Sequence, residues 1–127
     1  DDPLGGPCGQ HNVTRLASGN ILVFDNGIYC PSDYPERGEI SRAIEYELDE
    51  ENLTATLVWS YSREGEYGPS GGSAQRLANG NTLIGYGGNP TGASAIEVDP
   101  AGEVVFELYV DRGDRTRGSN RILRFPE

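Results

Sequence analysis

The protein has 127 residues, 35% of them hydrophobic, and a formal net charge of −10, since 20 acidic residues stand against ten arginines and no lysine. An electrostatic field of this sign repels phosphate groups, so nucleic acid and anionic membrane surfaces are not expected partners. No apolar run approaches the roughly 18 residues of a membrane span, so the sequence predicts none.

The first features along the chain are two cysteines, Cys8 and Cys30, for which we predict a disulfide. Two cysteines are too few for a structural metal site. N-glycosylation sequons begin at Asn12 and Asn52. Together with the paired cysteines and the missing initiator Met, they predict an extracytoplasmic location, whether periplasmic, secreted or cell-surface. The missing Met and signal peptide also predict a processed chain or a fragment.

A motif, Arg-Leu-Ala-x-Gly-Asn-x-Leu, begins at Arg15 and recurs at Arg76. Its turn residues, Ser18-Gly19 and Asn79-Gly80, tolerate positive φ and lie between apolar strand residues, a pattern typical of a β-hairpin. Alternating strands closed by an acidic turn follow each copy. Four short strands per repeat are typical of a propeller blade.

The alternating patterns predict eight strands, and a ninth near Asn120–Phe125. The eight are Gln10–Leu16, Asn20–Asp25, Arg42–Leu48, Ala55–Tyr61, Ser73–Leu77, Asn81–Tyr86, Ala93–Val98 and Glu103–Val110. The predicted fold is all-β, with two four-stranded antiparallel blades of β-propeller type over about residues 8–62 and 70–111. A final strand at about 117–125 completes a single partial propeller unit over residues 1–127. Two blades cannot close a ring, so we expect other copies of the chain or missing blades as partners.

Several stretches resemble the arylsulfotransferase family. They are Gln10-His11-Asn12, Gly19-Asn20, Phe24-Asp25-Asn26-Gly27, Ser41-Arg42-Ala43-Ile44-Glu45-Tyr46 and the ending Ser119-Asn120-Arg121-Ile122-Leu123-Arg124-Phe125. The resemblance implies a propeller of about six blades, of which this chain is the C-terminal third. It also implies an enzyme that moves sulfate between phenols in the periplasm through a transiently sulfated histidine.

The resemblance assigns His11 to the active centre as a catalytic residue, whereas the histidine that becomes sulfated belongs, by the same resemblance, to a later blade that this sequence does not supply. Asn12 and Arg42 are the expected ligand-binding residues for a phenolic or sulfated small molecule. A histidine titrates near neutrality and can act as a base or polarise an oxyanion. His11 is replaced by Gly72 in the second repeat, as expected for a site that belongs to one blade. The alternative is a histidine that is simply hydrogen-bonded at a strand edge.

Other polar and aromatic positions have mostly structural interpretations. Asp25 could supply an oxygen ligand to Ca²⁺, but the alternating carboxylates of a dedicated loop are missing, so a plain turn is favoured and neither metal nor cofactor is predicted. The acidic positions Glu45, Glu47 and Asp49 are predicted to share a solvated face, and the aromatic positions Trp59, Tyr61 and Phe106 to lie in the core. The C-terminal arginines could clamp a sulfate or pair with neighbouring acids.

Two functions remain open from the sequence. The first is an arylsulfotransferase-like extracytoplasmic propeller fragment that is inactive as an isolated chain. The second is a non-catalytic, secreted, glycosylated β-repeat module for self-assembly or ligand binding.

Overall fold

The computed structural model describes residues 2–33, 40–89, 92–110 and 120–125, and the regular secondary structure in these ranges is all strand. The strands are β1 His11–Arg15, β2 Ile21–Asp25, β3 Arg42–Asp49, β4 Thr54–Tyr61, β5 Ser73–Arg76, β6 Thr82–Gly85, β7 Ala95–Val98 and β8 Val104–Leu108. None of the described segments forms a helix with the length and apolarity that a membrane span requires. The eight predicted strands are confirmed, with ends that differ by a few residues.

The strands form two four-stranded antiparallel sheets with the orders β1-β2-β3-β4 and β5-β6-β7-β8. Each sheet is a simple meander, because every strand pairs with the next one along the chain. The register repeats as well: Glu45 lies opposite Trp59, and Glu97 lies opposite Phe106, with a bulge after each glutamate. The predicted pair of blade-like repeats is therefore confirmed, and within the described residues the two sheets do not close a ring.

The two copies of the repeated motif adopt the same hairpin turn. Leu16 N donates to Asn20 O at 2.8 Å, and Leu77 N donates to Asn81 O at 2.8 Å. Gly19 and Gly80 close these turns with φ of 96° and 88°, which favour glycine because it has no Cβ. The shared motif therefore encodes the same backbone twice.

The main core lies between the sheets. Leu22, Phe24 and Ala43 of the first sheet belong to one buried cluster with Ile84, Tyr86, Ile96 and other residues of the second. The rings of Phe24 and Tyr86 meet edge to face with centroids 5.8 Å apart, a favourable aromatic geometry. A smaller cluster of Val23, Ile44 and Tyr46 covers the other face of the first sheet.

The aromatic predictions are confirmed at two positions and wrong at the third. Trp59 and Tyr61 are partly buried and pack against the main core. Phe106 occupies the position in the second sheet that Trp59 occupies in the first, yet it is 49% exposed. The reason is that no further sheet lies against this face of the second sheet within the described residues.

The C-terminal segment Asn120–Phe125 runs alongside β5 without forming the predicted strand. Gly72 N donates to Asn120 O at 2.8 Å. Further along, the side chains of Ser73 and Gln75 bind the backbone N–H and C=O groups of Ile122 and Arg124. Because side chains make these bonds, no backbone ladder joins the segment to β5. The first residues of the predicted strand, 117–119, lie outside the described residues.

Candidate functional site

His11 begins β1 and is exposed at the edge of the first sheet. Its Nδ1 lies 2.7 Å from Oδ1 of Asn26 and 3.1 Å from the carbonyl oxygen of Gly9. The imidazole is thus held from one side, by the residue that follows β2 and by the loop that precedes β1.

Asn26 fixes the tautomer of His11. Asn26 is fully buried, and its Nδ2 donates to the carbonyl oxygens of Gly68 and Gly71 at 2.6 and 2.8 Å. These two acceptors orient the amide, so its oxygen faces His11 and can only accept. Nδ1 of His11 therefore carries the proton, and in the neutral ring Nε2 carries a lone pair. Within the described residues, no hydrogen bond to Nε2 is formed.

Gly72 shows why the second repeat has no histidine at the position of His11. A Cβ at Gly72 would collide with the ring of Phe24, and Gly72 has φ of 101°. Packing between the sheets therefore requires glycine there. The position of His11, in the first sheet, is not subject to this constraint.

Arg42, predicted to bind ligand, lies inside a buried ion-pair network. Its Nε donates to Oδ2 of Asp25 at 2.8 Å, and Nη2 donates to Oδ2 of Asp2, also at 2.8 Å. Burial lowers the pKa of Arg42, but the two carboxylates outweigh burial and raise it. The guanidinium is thus already engaged by two acids of this chain.

Asp25, the weak Ca²⁺ candidate, is fully buried beside Arg42. While Oδ2 binds Arg42, Oδ1 accepts from the backbone N–H groups of Cys8 and Gly27 at 2.9 and 3.2 Å. In the ranges that the structure covers, no group of three or more His, Cys, Asp or Glu side chains could hold a metal ion. Asp25 acts in this arrangement as an organiser of the loop before β1.

The predicted disulfide between Cys8 and Cys30 is present. The carbonyl oxygen of Cys8 also accepts from Gly27 N and Ile28 N, at 3.1 and 3.3 Å. The bridge therefore ties the loop before β1 to the loop after β2, which carries Asn26, the partner of His11.

The two sequon asparagines lie in different settings. Asn12 is half-buried, has φ of 51°, and its Oδ1 accepts from Ala74 N at 2.9 Å across the two sheets. Asn52 lies in the exposed turn after β3, where Nδ2 donates to Asp49 at 2.7 Å. The ligand-binding role of Asn12 and glycosylation at both positions remain predictions.

Two side-chain contacts could not be predicted from the sequence. Asn26 was interpreted as part of a turn, and its contact with His11 arises only when β1 and β2 pair. Glu45 was predicted on a solvated face, but its carboxylate binds Asn20 and Arg76. The signal that could have identified Glu45 is the Ala-Ile-Glu triplet, which recurs as residues 95–97. The arginines at positions 112–117 lie outside the described residues.

Comparison with known proteins gives consistent matches. A family model described as arylsulfotransferase (ASST) matches residues 4–120. The chain is 32% identical over 131 residues to the arylsulfate sulfotransferase AssT of Escherichia coli O6:H1, a match that covers 91% of this chain and 22% of that protein. A second match, AssT of Lelliottia amnigena, is 29% identical over 85 residues and covers 63% of this chain and 14% of that protein. The chain thus spans about a fifth or less of these relatives.

Proposed function

Because the chain belongs to the arylsulfotransferase (ASST) family, we propose that it forms part of a propeller that transfers sulfate from an aryl sulfate to a phenolic acceptor. His11 contributes to the active centre. The two relatives indicate the donor class, since both are named arylsulfate sulfotransferases.

The observation that carries the proposal is the state of the His11 ring. Asn26 holds the proton on Nδ1, which leaves the lone pair on Nε2 of an exposed side chain. Such a lone pair can accept the proton of a phenol, which is the role of a general base.

We further propose that the 127-residue chain is inactive alone. Transfer of a sulfuryl group places negative charge on oxygen atoms, which needs cationic or N–H donors aimed at them. The guanidinium of Arg42 is occupied by Asp2 and Asp25, and the chain as a whole carries a charge of −10. Donors from further blades would therefore be needed to stabilise the transition state.

The experiment separates binding from turnover. NMR of the chain with 15N-labelled histidine reports the tautomer, and titration with 4-nitrophenyl sulfate reports contact with the ring. We expect the Nδ1–H tautomer, ligand-dependent shifts of the Nε2 resonance, and no release of 4-nitrophenol above that of the His11→Ala variant. Unchanged His11 resonances at saturating ligand would show that His11 does not contact the ligand. Turnover by the monomeric chain would show that the chain is active alone.

An extracytoplasmic location forms part of the proposal. The Cys8–Cys30 bridge supports it, because disulfides persist in oxidising compartments. The alternative, a non-catalytic module for assembly, is favoured by one observation: Val105, Phe106 and Phe125 expose 54%, 49% and 79% of their surface. An exposed apolar patch of this kind marks an interaction surface.

A further inference from the structure

Tyr29, in the loop that follows β2, combines backbone strain with exposure. Its φ is 59°, in the left-handed region, and its side chain belongs to a residue that is 91% exposed. A bulky residue rarely adopts such a φ, because its Cβ crowds the backbone. A ring this exposed also contributes little hydrophobic stabilisation. Packing within the chain therefore gives no reason for tyrosine at a position where glycine would fit the backbone better.

The residues on both sides of Tyr29 are tied to Cys8. Ile28 N donates to the carbonyl oxygen of Cys8 at 3.3 Å, and Cys30 forms the disulfide with the same residue. Because both flanks are fixed, the backbone at Tyr29 cannot relax to another φ without breaking one of these ties. The ring is thus presented on a rigid loop, which lowers the entropy that a contact with a ligand would cost.

The loop that carries Tyr29 adjoins the supports of His11. A Cβ at Gly9 would collide with Cγ2 of Ile28, so Gly9 and Ile28 pack directly on each other. The carbonyl oxygen of Gly9 lies 3.1 Å from Nδ1 of His11, and Asn26, the other partner of Nδ1, precedes Tyr29 in the same loop. Both contacts of the imidazole therefore lead to Tyr29, and both side chains are exposed at this end of the first sheet.

Strain alone does not distinguish Tyr29, since Leu53 has φ of 55° and is 89% exposed. Leu53, however, lies in the turn between β3 and β4, at the opposite end of the sheet. The strand β3 begins at Arg42, which is paired with Asp25 at the end of β2, and runs away from the loop of Tyr29 to that turn. Tyr29 differs from Leu53 in its aromatic ring and in its position at the end of the sheet that carries His11.

We propose that Tyr29 selects aromatic ligands: its ring stacks on the aryl group of a sulfate ester or phenol whose oxygen lies at Nε2 of His11. This inference rests on the proposed function and adds to it a specificity-determining residue. Stacked aromatic rings attract each other through contact and through their quadrupoles. Such an attraction suits a chain of net charge −10, because the overall field repels an anionic ester and the ring supplies a contact that needs no opposite charge.

The test compares Tyr29→Gly with Leu53→Gly, which remove the same strain at opposite ends of the sheet. Glycine adopts both φ values freely, so neither variant should lower the urea midpoint. Binding of 4-nitrophenyl sulfate is followed at Nε2 of 15N-labelled His11. We expect Tyr29→Gly to weaken binding by about three- to tenfold, the range of a stacked aromatic pair, and Leu53→Gly to leave it unchanged. Tyr29→Trp should restore binding, because it restores a stacking surface.

Methyl sulfate separates recognition of the ring from recognition of the sulfate group. It has no aryl group, so the unmodified chain and Tyr29→Gly should bind it equally. Equal weakening for both esters would show that Tyr29 only shapes the loop, and would overturn the proposal.

The same titration separates this inference from the function on which it rests. If Nε2 of His11 responds to 4-nitrophenyl sulfate but Tyr29→Gly binds as tightly as the unmodified chain, the role of Tyr29 is wrong and the proposed function stands. If Nε2 does not respond in the unmodified chain, the proposed function fails, and the role of Tyr29 fails with it.

Discussion

Glu45 and Arg76 join the two sheets by a partly buried ion pair, with Oε2 and Nη2 2.6 Å apart and side-chain exposures of 13% and 25%. Asn20 occupies the other carboxylate oxygen, so the glutamate is fully engaged and cannot rotate without losing a bond. Because the same pattern recurs at Glu97 and Arg124, the pair belongs to the repeat and not to one local contact.

We predict that Arg76→Ala destabilises the protein by about 1 to 2 kcal/mol, because it removes a charge-assisted hydrogen bond and a cation–π contact with Trp59 and leaves Glu45 half-paired. Arg15→Ala is the matched control. Arg15 is the same position in the first repeat, but its bridge to Glu50 is exposed, at 64% and 70%, and should contribute less than about 0.5 kcal/mol. Urea unfolding of the three proteins measures the difference. Equal losses in the two variants would show that the link between the sheets carries no special stability.

Local signals made most of the fold predictable. The turns at Ser18-Gly19 and Asn79-Gly80 and the alternating apolar positions specify hairpins without reference to the rest of the chain. The eight strands lie at the predicted places. Burial of Phe106 was predicted wrongly because it depends on a neighbouring sheet, which the pattern of β8 does not encode. For the same reason, Glu45 was predicted to be solvated, although its position opposite Trp59 places it beside the arginine of the next sheet.

For the candidate site, too, local sequence signals were readable, whereas contacts between distant residues were not. The motif around His11 made this residue a candidate, and its role in a site stays a prediction. The sequence could not identify Asn26 as its partner, because that contact depends on the pairing of β1 with β2. Nor could it show that Arg42 is held by Asp2, which lies 40 residues earlier in the chain.

Reduction of the Cys8–Cys30 bridge should destabilise the protein by about 3 kcal/mol in the chain-entropy model, given the separation of 22 residues between the cysteines. Unfolding in urea with and without reductant measures the loss, and a thiol count on the unfolded chain confirms the redox state. The Cys8→Ser/Cys30→Ser double variant should match the reduced protein. A loss well below 1 kcal/mol in both would mean that the other contacts of the loop, such as Cys8 N with Asp25, suffice to hold it.

Acid should weaken the network around Arg42 through Asp2. Burial by itself raises the pKa of Asp2, but hydrogen bonds from Arg42 and Tyr46 outweigh burial and lower the pKa from 3.8 to about 2. A carboxyl whose pKa is lower in the folded state stabilises that state above its unfolded pKa, and this contribution is lost as the pH falls from about 4 to about 2.

The urea midpoint should therefore drop between pH 5 and pH 2, a range that spans both the unfolded and the folded pKa of Asp2. Asp2→Asn removes the titrating group but keeps its size, so the variant should be less stable at pH 5 and its midpoint should change less across this range. Parallel pH profiles of the two proteins would show that Asp2 contributes nothing to acid sensitivity.

Asn26→Asp should be among the most disruptive single-atom changes in the protein. Asn26 is fully buried, and its Nδ2 is the donor for the carbonyl oxygens of Gly68 and Gly71. Aspartate replaces that donor with an acceptor, so two carbonyl oxygens lose their partner and face a buried charge. We expect a loss of about 3 kcal/mol or more. Asn79→Asp is the control, because Asn79 is exposed and its side-chain oxygen accepts from Asn81 N. Aspartate keeps that bond, so stability should stay within about 0.5 kcal/mol. Urea unfolding at neutral pH compares them, and a similar small effect at both positions would mean that Asn26 does not hold the site together.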